Sequence, residues 1–407
     1  MTRSIFAALL AVVAVGASPA QETRPNIILI LADDIGISGF SCYGGGFKTP
    51  NVDQLAAEGV RFEHAFSAPL CAPTRALCMT GRYGFRTGVI NNATGGKATP
   101  KSETIIAKVL KQAGYATAVA GKWRQLEYLT TVEEAKAWGF DEFLVWYDKK
   151  GGERYWDPHY NHNGKVQEDT KGKYGPDLCH DFVVDFAGRN KDKPFFVYYP
   201  IVLVHAPILR TPDSAAGGRR NFMDDNVAYL DKLMGKLVAD LGRLGLREKT
   251  LIVFTGDNGK PGGGTVKDRK IDGGKASMKE GGARVPIVCS WKGTTPEGKV
   301  LPDLVDHSDL FPTFAELAGA KLPEGVTIDG RSFAPQLRGQ PGKPREWVYV
   351  QLGQERYVRD ARWKLYGDGT LCDMKDAPWS EVKVDAGAEG EAAAARKRLQ
   401  AALDSLK

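Results

Sequence analysis

Residues 26–31 read NIILIL and run into Asp33 and Asp34; residues 250–255 read TLIVFT and run into Gly256, Asp257, Asn258 and Gly259. Both runs are apolar without alternation, of strand length and rich in β-branched residues, the pattern of strands covered on both faces. Each delivers a pair of polar side chains at its carboxyl end, where the ligands of open parallel sheets bind. Between the two runs helices alternate with strands. Residues 49–59 (TPNVDQLAAEG) carry Thr49 as N-cap, Pro50 in the first turn and Gly59 as stop. Ser102 is expected to cap ETIIAKVLKQAG, ahead of a strand over 115–120, and Val227, Leu230, Met234, Leu237, Val238 and Leu241 recur at helical spacing within 223–244. The prediction is an α/β chain with a mostly parallel sheet sandwiched by helices over residues 21–320. From about Lys321 the short runs WVYVQL, RYVRD and WKLYG, followed by an Ala/Glu/Arg-rich helix from about Glu389, predict a small C-terminal α+β subdomain over 321–407.

The chain has 407 residues, 43% hydrophobic and 26% charged, enough for a large core and unlike disordered or fibrous compositions. Its 55 basic and 49 acidic residues leave +6 without a basic run, so no nucleic-acid partner is implied, while small anionic ligands stay open. Arg3, the apolar run Ile5–Val15 and the small residues Ser18 and Ala20 have the three regions of a secretory leader, predicted over residues 1–20 with cleavage after Ala20. The run is too short to span a bilayer, so the mature chain is expected exported, periplasmic or secreted, and free of the membrane. Cys42, Cys71, Cys78, Cys179, Cys289 and Cys372 are scattered without metal-ligand spacing, which makes disulfides secondary to the fold.

Two constellations could carry chemistry. Asp33, Asp34, Asp257 and Asn258 offer oxygen ligands on neighbouring strand ends, a set suited to a hard cation, Ca²⁺ or Mg²⁺, rather than zinc. Taken alone, an Asp-Asp pair is more often a loop cap. Cys71-Ala72-Pro73-Thr74-Arg75, followed by Thr80-Gly81-Arg82, places a cysteine at a helix N-terminus, where backbone N–H groups favour an anion. A lone cysteine is more commonly a buried structural residue.

The motif C-x-P-[ST]-R with a following T-G resembles the signature of the type I sulfatases of the alkaline phosphatase superfamily. The resemblance extends to RPNIILILADDIG, TPNVDQLAAEGVRF, the AGKW of Ala120–Trp123, His205-Ala206-Pro207, TGDNG at Thr255, and the stretch from Gly274 through EGGARVP, covering about Arg24 to Gly319 in order. It implies that Cys71 is oxidised to formylglycine by a maturation enzyme that reads Pro73 and Arg75. The hydrated aldehyde then has two hydroxyls, one to attack sulfur and one to expel sulfate. It implies Asp33, Asp34, Asp257 and Asn258 as Ca²⁺ ligands, the ion also touching residue 71; Lys122, Lys275 and His205 as sulfate contacts; and Arg75 as the residue that holds the hydrated aldehyde. The expected catalytic set is Cys71, Arg75, Lys122 and His205, acting on a sulfated small molecule or glycan.

One departure stands out. The family follows GKW with a histidine, whereas this chain has Arg124 and Gln125 after Trp123, and an arginine cannot serve as a base near neutral pH. Trp138, Trp146, Tyr147, Tyr155, Trp156 and Tyr160 could form a sugar-stacking wall, though core packing is the commoner fate of such residues. His159 and His162, three apart, lack a third metal ligand. The leading expectation is hydrolysis of a sulfate monoester on a carbohydrate. The alternatives are a phosphodiester or phosphonate monoester hydrolase of the same superfamily, and a catalytically retired protein that binds sulfated glycan.

Overall fold

The computed structural model describes residues 24–123, 126–146, 152–215 and 222–406; the predicted leader, Arg124, Gln125 and Tyr147 lie outside them. A ten-stranded sheet runs in the order Lys299–Asp306, Val60–Phe66, Ile287–Trp291, Thr250–Gly256, Asn26–Ala32, Phe195–Tyr199, Ala116–Gly121, Glu142–Trp146, Tyr160–His162, Lys165–Val166. Its centre is parallel, from Thr250–Gly256 across to Glu142–Trp146. Ile287–Trp291 is antiparallel to both its neighbours, and the last two short strands are antiparallel additions at one edge.

The apolar run at Asn26 explains this centre. Its side chains alternate between faces, so Ile27, Leu29 and Leu31 enter one core cluster and Ile28, Ile30 and Ala32 the other. Helices Cys71–Thr80, Ile106–Gln112 and Leu310–Leu317 contribute to the first cluster. Helices Pro50–Ala57, Gly175–Arg189 and Met223–Arg243 contribute to the second. Truncating one of its five fully buried Ile and Leu residues to alanine costs about 2–5 kcal/mol, and the strand's one polar residue, Asn26, is buried only because its amide pairs with the Thr250 hydroxyl and the Phe195 N–H.

Two helix starts differ from the sequence reading. Pro50 does open its helix, but Thr49 makes no side-chain cap. Its hydroxyl is engaged by Ser41, and the orphan N–H groups of Asn51 and Val52 are taken instead by the Asp231 carboxylate, from a helix 180 residues later in the chain. Ser102 pairs with Thr99 in a turn, so the helix begins only at Ile106. In each case a hydroxyl with a competing local partner gave up the cap.

Beyond the large sheet, Val348–Leu352, Glu355–Arg359, Trp363–Tyr366, Leu371–Asp373 and Val382–Lys383 form a separate antiparallel sheet. The helix Glu391–Asp404 covers one face through Ala395, Leu399 and Ala402. The other face packs on Phe66, Met278 and Leu304 of the main body. All six cysteines are free thiols.

Candidate active site

The strands Asn26–Ala32 and Thr250–Gly256 pair in parallel with Ala32 opposite Gly256, so Asp33 and Asp257 leave the sheet side by side. Asp34 follows at φ 60°, a left-handed conformation that aspartate tolerates better than most residues. Its N–H donates to Asp257 Oδ1 at 2.9 Å, and its carboxylate accepts from Asn258 Nδ2 at 2.9 Å. Gly259 continues this turn where a Cβ would lie 1.7 Å from the Gly281 carbonyl, so only glycine fits.

Cys71 is the first residue of the helix Cys71–Thr80, all of whose residues are buried. Its Sγ lies 3.7 Å from Asp33 Oδ1 and 3.6 Å from Asp34 Oδ1. The Ala72 N–H, one of the helix's orphan donors, is taken by Asn92 Oδ1 at 3.0 Å. One turn along, Arg75 is fully buried. Its Nη2 and Nε donate to Asp257 Oδ2 at 2.7 and 3.2 Å, and its Nη1 to the Lys122 carbonyl at 3.3 Å.

Three further segments close in. Lys122 follows the strand Ala116–Gly121 through Gly121, whose φ of 122° and approach to the Pro200 carbonyl exclude a side chain; its Nζ donates to Asp33 Oδ2 at 2.6 Å. His205 sits in a loop tied to the same strand end, the Asp33 N–H donating to the Leu203 carbonyl and the Val204 N–H to the Asp33 carbonyl. Its Nε2 lies 3.6 Å from Asp34 Oδ2. Lys275 donates to the Asp34 carboxylate at 2.6 Å, its loop held by the Ala276 N–H on the Pro69 carbonyl. The antiparallel sheet braces that loop from behind: Lys364 Nζ donates to the Met278 carbonyl at 2.6 Å and to Glu381.

The electrostatics follow from burial. Burial pushes Asp33 up, but the Lys122 and Arg75 cations outweigh it and hold the carboxyl well below the usual range. Burial and the Asp33 charge push Asp257 up to about 7, despite Arg75. Burial and then Asp257 push the Cys71 thiol up, so an unmodified Cys71 keeps its proton near neutral pH. Burial also lowers His205.

All nine residues singled out in the sequence therefore meet at one place. The compact donor group consists of Asp33, Asp34, Cys71 and His205, whose ligand atoms lie within 4.8 Å of one another. Histidine thus stands closer to the oxygen ligands than the sequence spacing suggests. Asn258 Oδ1 is buried and has no hydrogen-bond partner, a condition that costs about 1–3 kcal/mol unless something binds the oxygen. An orphan amide oxygen beside three carboxylates fits a hard cation.

The cavity over Cys71 is about 150 Å³ and is lined also by Lys122, His205, Asn92, Trp146 and Arg154. Asn92 and Arg154 were missed: neither has a spacing signal, and Asn92 reads as one more residue of a turn. Of the aromatic stretch, Trp138, Tyr155 and Tyr160 are core residues, whereas Trp146 reaches the cavity. His162 packs edge-on against Phe182. A larger cavity of about 610 Å³ lies at the opposite, amino-terminal end of the strands, and no site residue lines it.

The sulfatase family model matches residues 25–320. Human arylsulfatase A is 34% identical, over 85% of this chain and 74% of its own length, and human arylsulfatase D is 29% identical over 86% and 74%. Among solved structures, Ps i-CgsB, also crystallised with k-i-k-neocarrahexaose, superposes with a TM-score of 0.81 at 27% identity, over 94% of this chain and 92% of that one.

Proposed function

The chain belongs to the sulfatase family and is a sulfuric ester hydrolase, and we propose that it removes sulfate from a carbohydrate using formylglycine at position 71 and a bound Ca²⁺. The observation that carries this reading is the convergence of Asp33, Asp34, Asp257 and Asn258 on Cys71 at a buried helix N-terminus. These four side chains would hold the ion, with Mg²⁺ as the other hard cation of this chemistry. When bound, it supplies Lewis-acid stabilisation of charge on the sulfuryl oxygens, and the hydrated aldehyde supplies an oxygen nucleophile that a thiol lacks.

The chain's own residues do the rest. Lys122, Lys275 and His205 ring residue 71 and offer hydrogen-bond donors to sulfuryl oxygens as charge develops. Arg75 holds Asp257 in place from inside the protein and, through the same helix, faces residue 71. The solved relative's neocarrahexaose ligand supports a glycan as the substrate class here. Export through the leader at residues 1–20 and maturation by a formylglycine-generating enzyme belong to the same reading.

The test pairs a mass measurement with a substrate comparison. Intact and peptide mass should show position 71 as the aldehyde, and that form should hydrolyse glycan sulfates and aryl sulfates in preference to aryl phosphodiesters. Faster turnover of the phosphodiester would transfer the site to phosphorus chemistry. Glycan binding by the aldehyde form without hydrolysis would make it a retired sulfatase.

A further inference from the structure

Three carboxylates of the site, Asp33, Asp34 and Asp257, are matched by three cations, Lys122, Lys275 and Arg75. A fourth cation lines the cavity without a carboxylate partner among the described residues. Arg154 is 8% exposed, and its guanidinium lies over the Trp146 ring at 4.8 Å and the Tyr155 ring at 5.5 Å. Its Nη2 is spent on His205 Nδ1 at 2.8 Å and on the Ala206 carbonyl. Its Nε is buried with no partner. A desolvated guanidinium that lines a cavity without a carboxylate partner is costly unless an acceptor arrives.

Position decides which part of a substrate that acceptor belongs to. His205 presents Nε2 to Asp34 and Nδ1 to Arg154, so the imidazole stands between Arg154 and the reacting centre. A cavity of about 150 Å³ is below the roughly 300–1,000 Å³ of pockets that enclose a whole ligand. A sulfuryl group at residue 71 would fill much of such a cavity, so what its alcohol carries beside the ester would meet the rest of the lining, which includes Arg154 and Trp146.

We propose that Arg154 is a substrate-binding residue that selects sulfate esters whose alcohol bears a second anionic group, a carboxylate or another sulfate, beside the ester. The proposal rests on the sulfatase reading of the same site. The permanently charged guanidinium, stacked on Trp146, offers a charge-assisted contact to either oxyanion.

The aldehyde-bearing protein is assayed on two substrate pairs: 4-nitrophenyl sulfate against 2-carboxy-4-nitrophenyl sulfate, and glucosamine 6-sulfate against glucosamine 2-N,6-O-disulfate. Wild type should favour the doubly anionic member of at least one pair by about tenfold in kcat/KM, as a charge-assisted contact requires. Which pair responds identifies carboxylate or sulfate. Arg154→Gln should lower that ratio by about tenfold, chiefly through KM, and Arg154→Lys should recover part of it. A role confined to positioning His205 would lower both members equally, and an unchanged ratio in Arg154→Gln overturns the proposal. So does a wild-type ratio of one or below in both pairs, a measurement that needs no variant to fold. Turnover of none of the four substrates would overturn the sulfatase reading along with it.

Discussion

Cutting Arg75 to methionine isolates the buried pair on which the site is built. Arg75 and Asp257 are both fully buried, joined at 2.7 Å through Nη2 and at 3.2 Å through Nε, with Asp33 Oδ1 a further 3.5 Å from Nη2. Removing one member of such a pair costs about 3–5 kcal/mol, because the remaining charge stays buried without its partner. Asp257 has a way out, since burial and Asp33 already bring its carboxyl up to about 7. Without Arg75 its folded-state value should rise further, so the variant keeps a proton that the wild type releases as the pH climbs through 7. Each pH unit in that interval adds about 1.4 kcal/mol to the difference between the two proteins. The expected loss is therefore about 3 kcal/mol at pH 7, near 5 kcal/mol at pH 8.5, and smallest below pH 6, where Asp257 is protonated in both. Urea midpoints of wild type, Arg75→Met, Asp257→Asn and the double variant, in chelator so that no metal contributes, give the coupling directly. The double variant should be more stable than the sum of the single losses predicts. Additive losses independent of pH would refute the argument that the pair is a coupled, titrating unit.

Cys71→Ala and Cys71→Ser should both keep the wild-type circular dichroism and lose repeated turnover, since neither can carry an aldehyde; sustained turnover by the serine form would dismiss the formylglycine mechanism. Asn258→Ala removes the buried oxygen that has no partner and should weaken Ca²⁺ binding by about tenfold or more in calorimetry. Activity lost to chelator should return with Ca²⁺ or Mg²⁺ in the wild type. His307 is fully buried with Nε2 2.9 Å from Thr255 Oγ1, and burial holds its pKa down to about 3. The unfolded chain takes up this proton near pH 6.5, so His307 supports stability above that pH and the support is lost as the pH falls toward 3. Thermal midpoints between pH 7.5 and 5 should drop less in His307→Asn than in wild type, and parallel curves would show that another group governs acid lability.

What the sequence made legible is what a single strand can encode. A fully apolar run must be covered on both faces, and its first polar residues must mark where it leaves the sheet, so Asp33, Asp34, Asp257 and Asn258 could be placed at strand ends. That the two ends lie side by side follows only from the register, Ala32 opposite Gly256, which depends on every strand packed around them. Capping shows the same limit: the hydroxyl of Thr49 is adjacent in sequence, yet the carboxylate of Asp231, 180 residues away, does the work. Lys122, His205 and Lys275 were placed through ordered motifs rather than through physics, because a lone lysine or histidine has no periodicity to betray it. Arg154 had neither aid. It lies among aromatic residues that mostly fill the core, and what distinguishes it is a count that only three dimensions allow: three carboxylates, three matched cations and one guanidinium left over. Charge balance around the cavity is a property of the assembled site, and a residue whose importance lies in being unmatched cannot be found until its neighbours have found their partners.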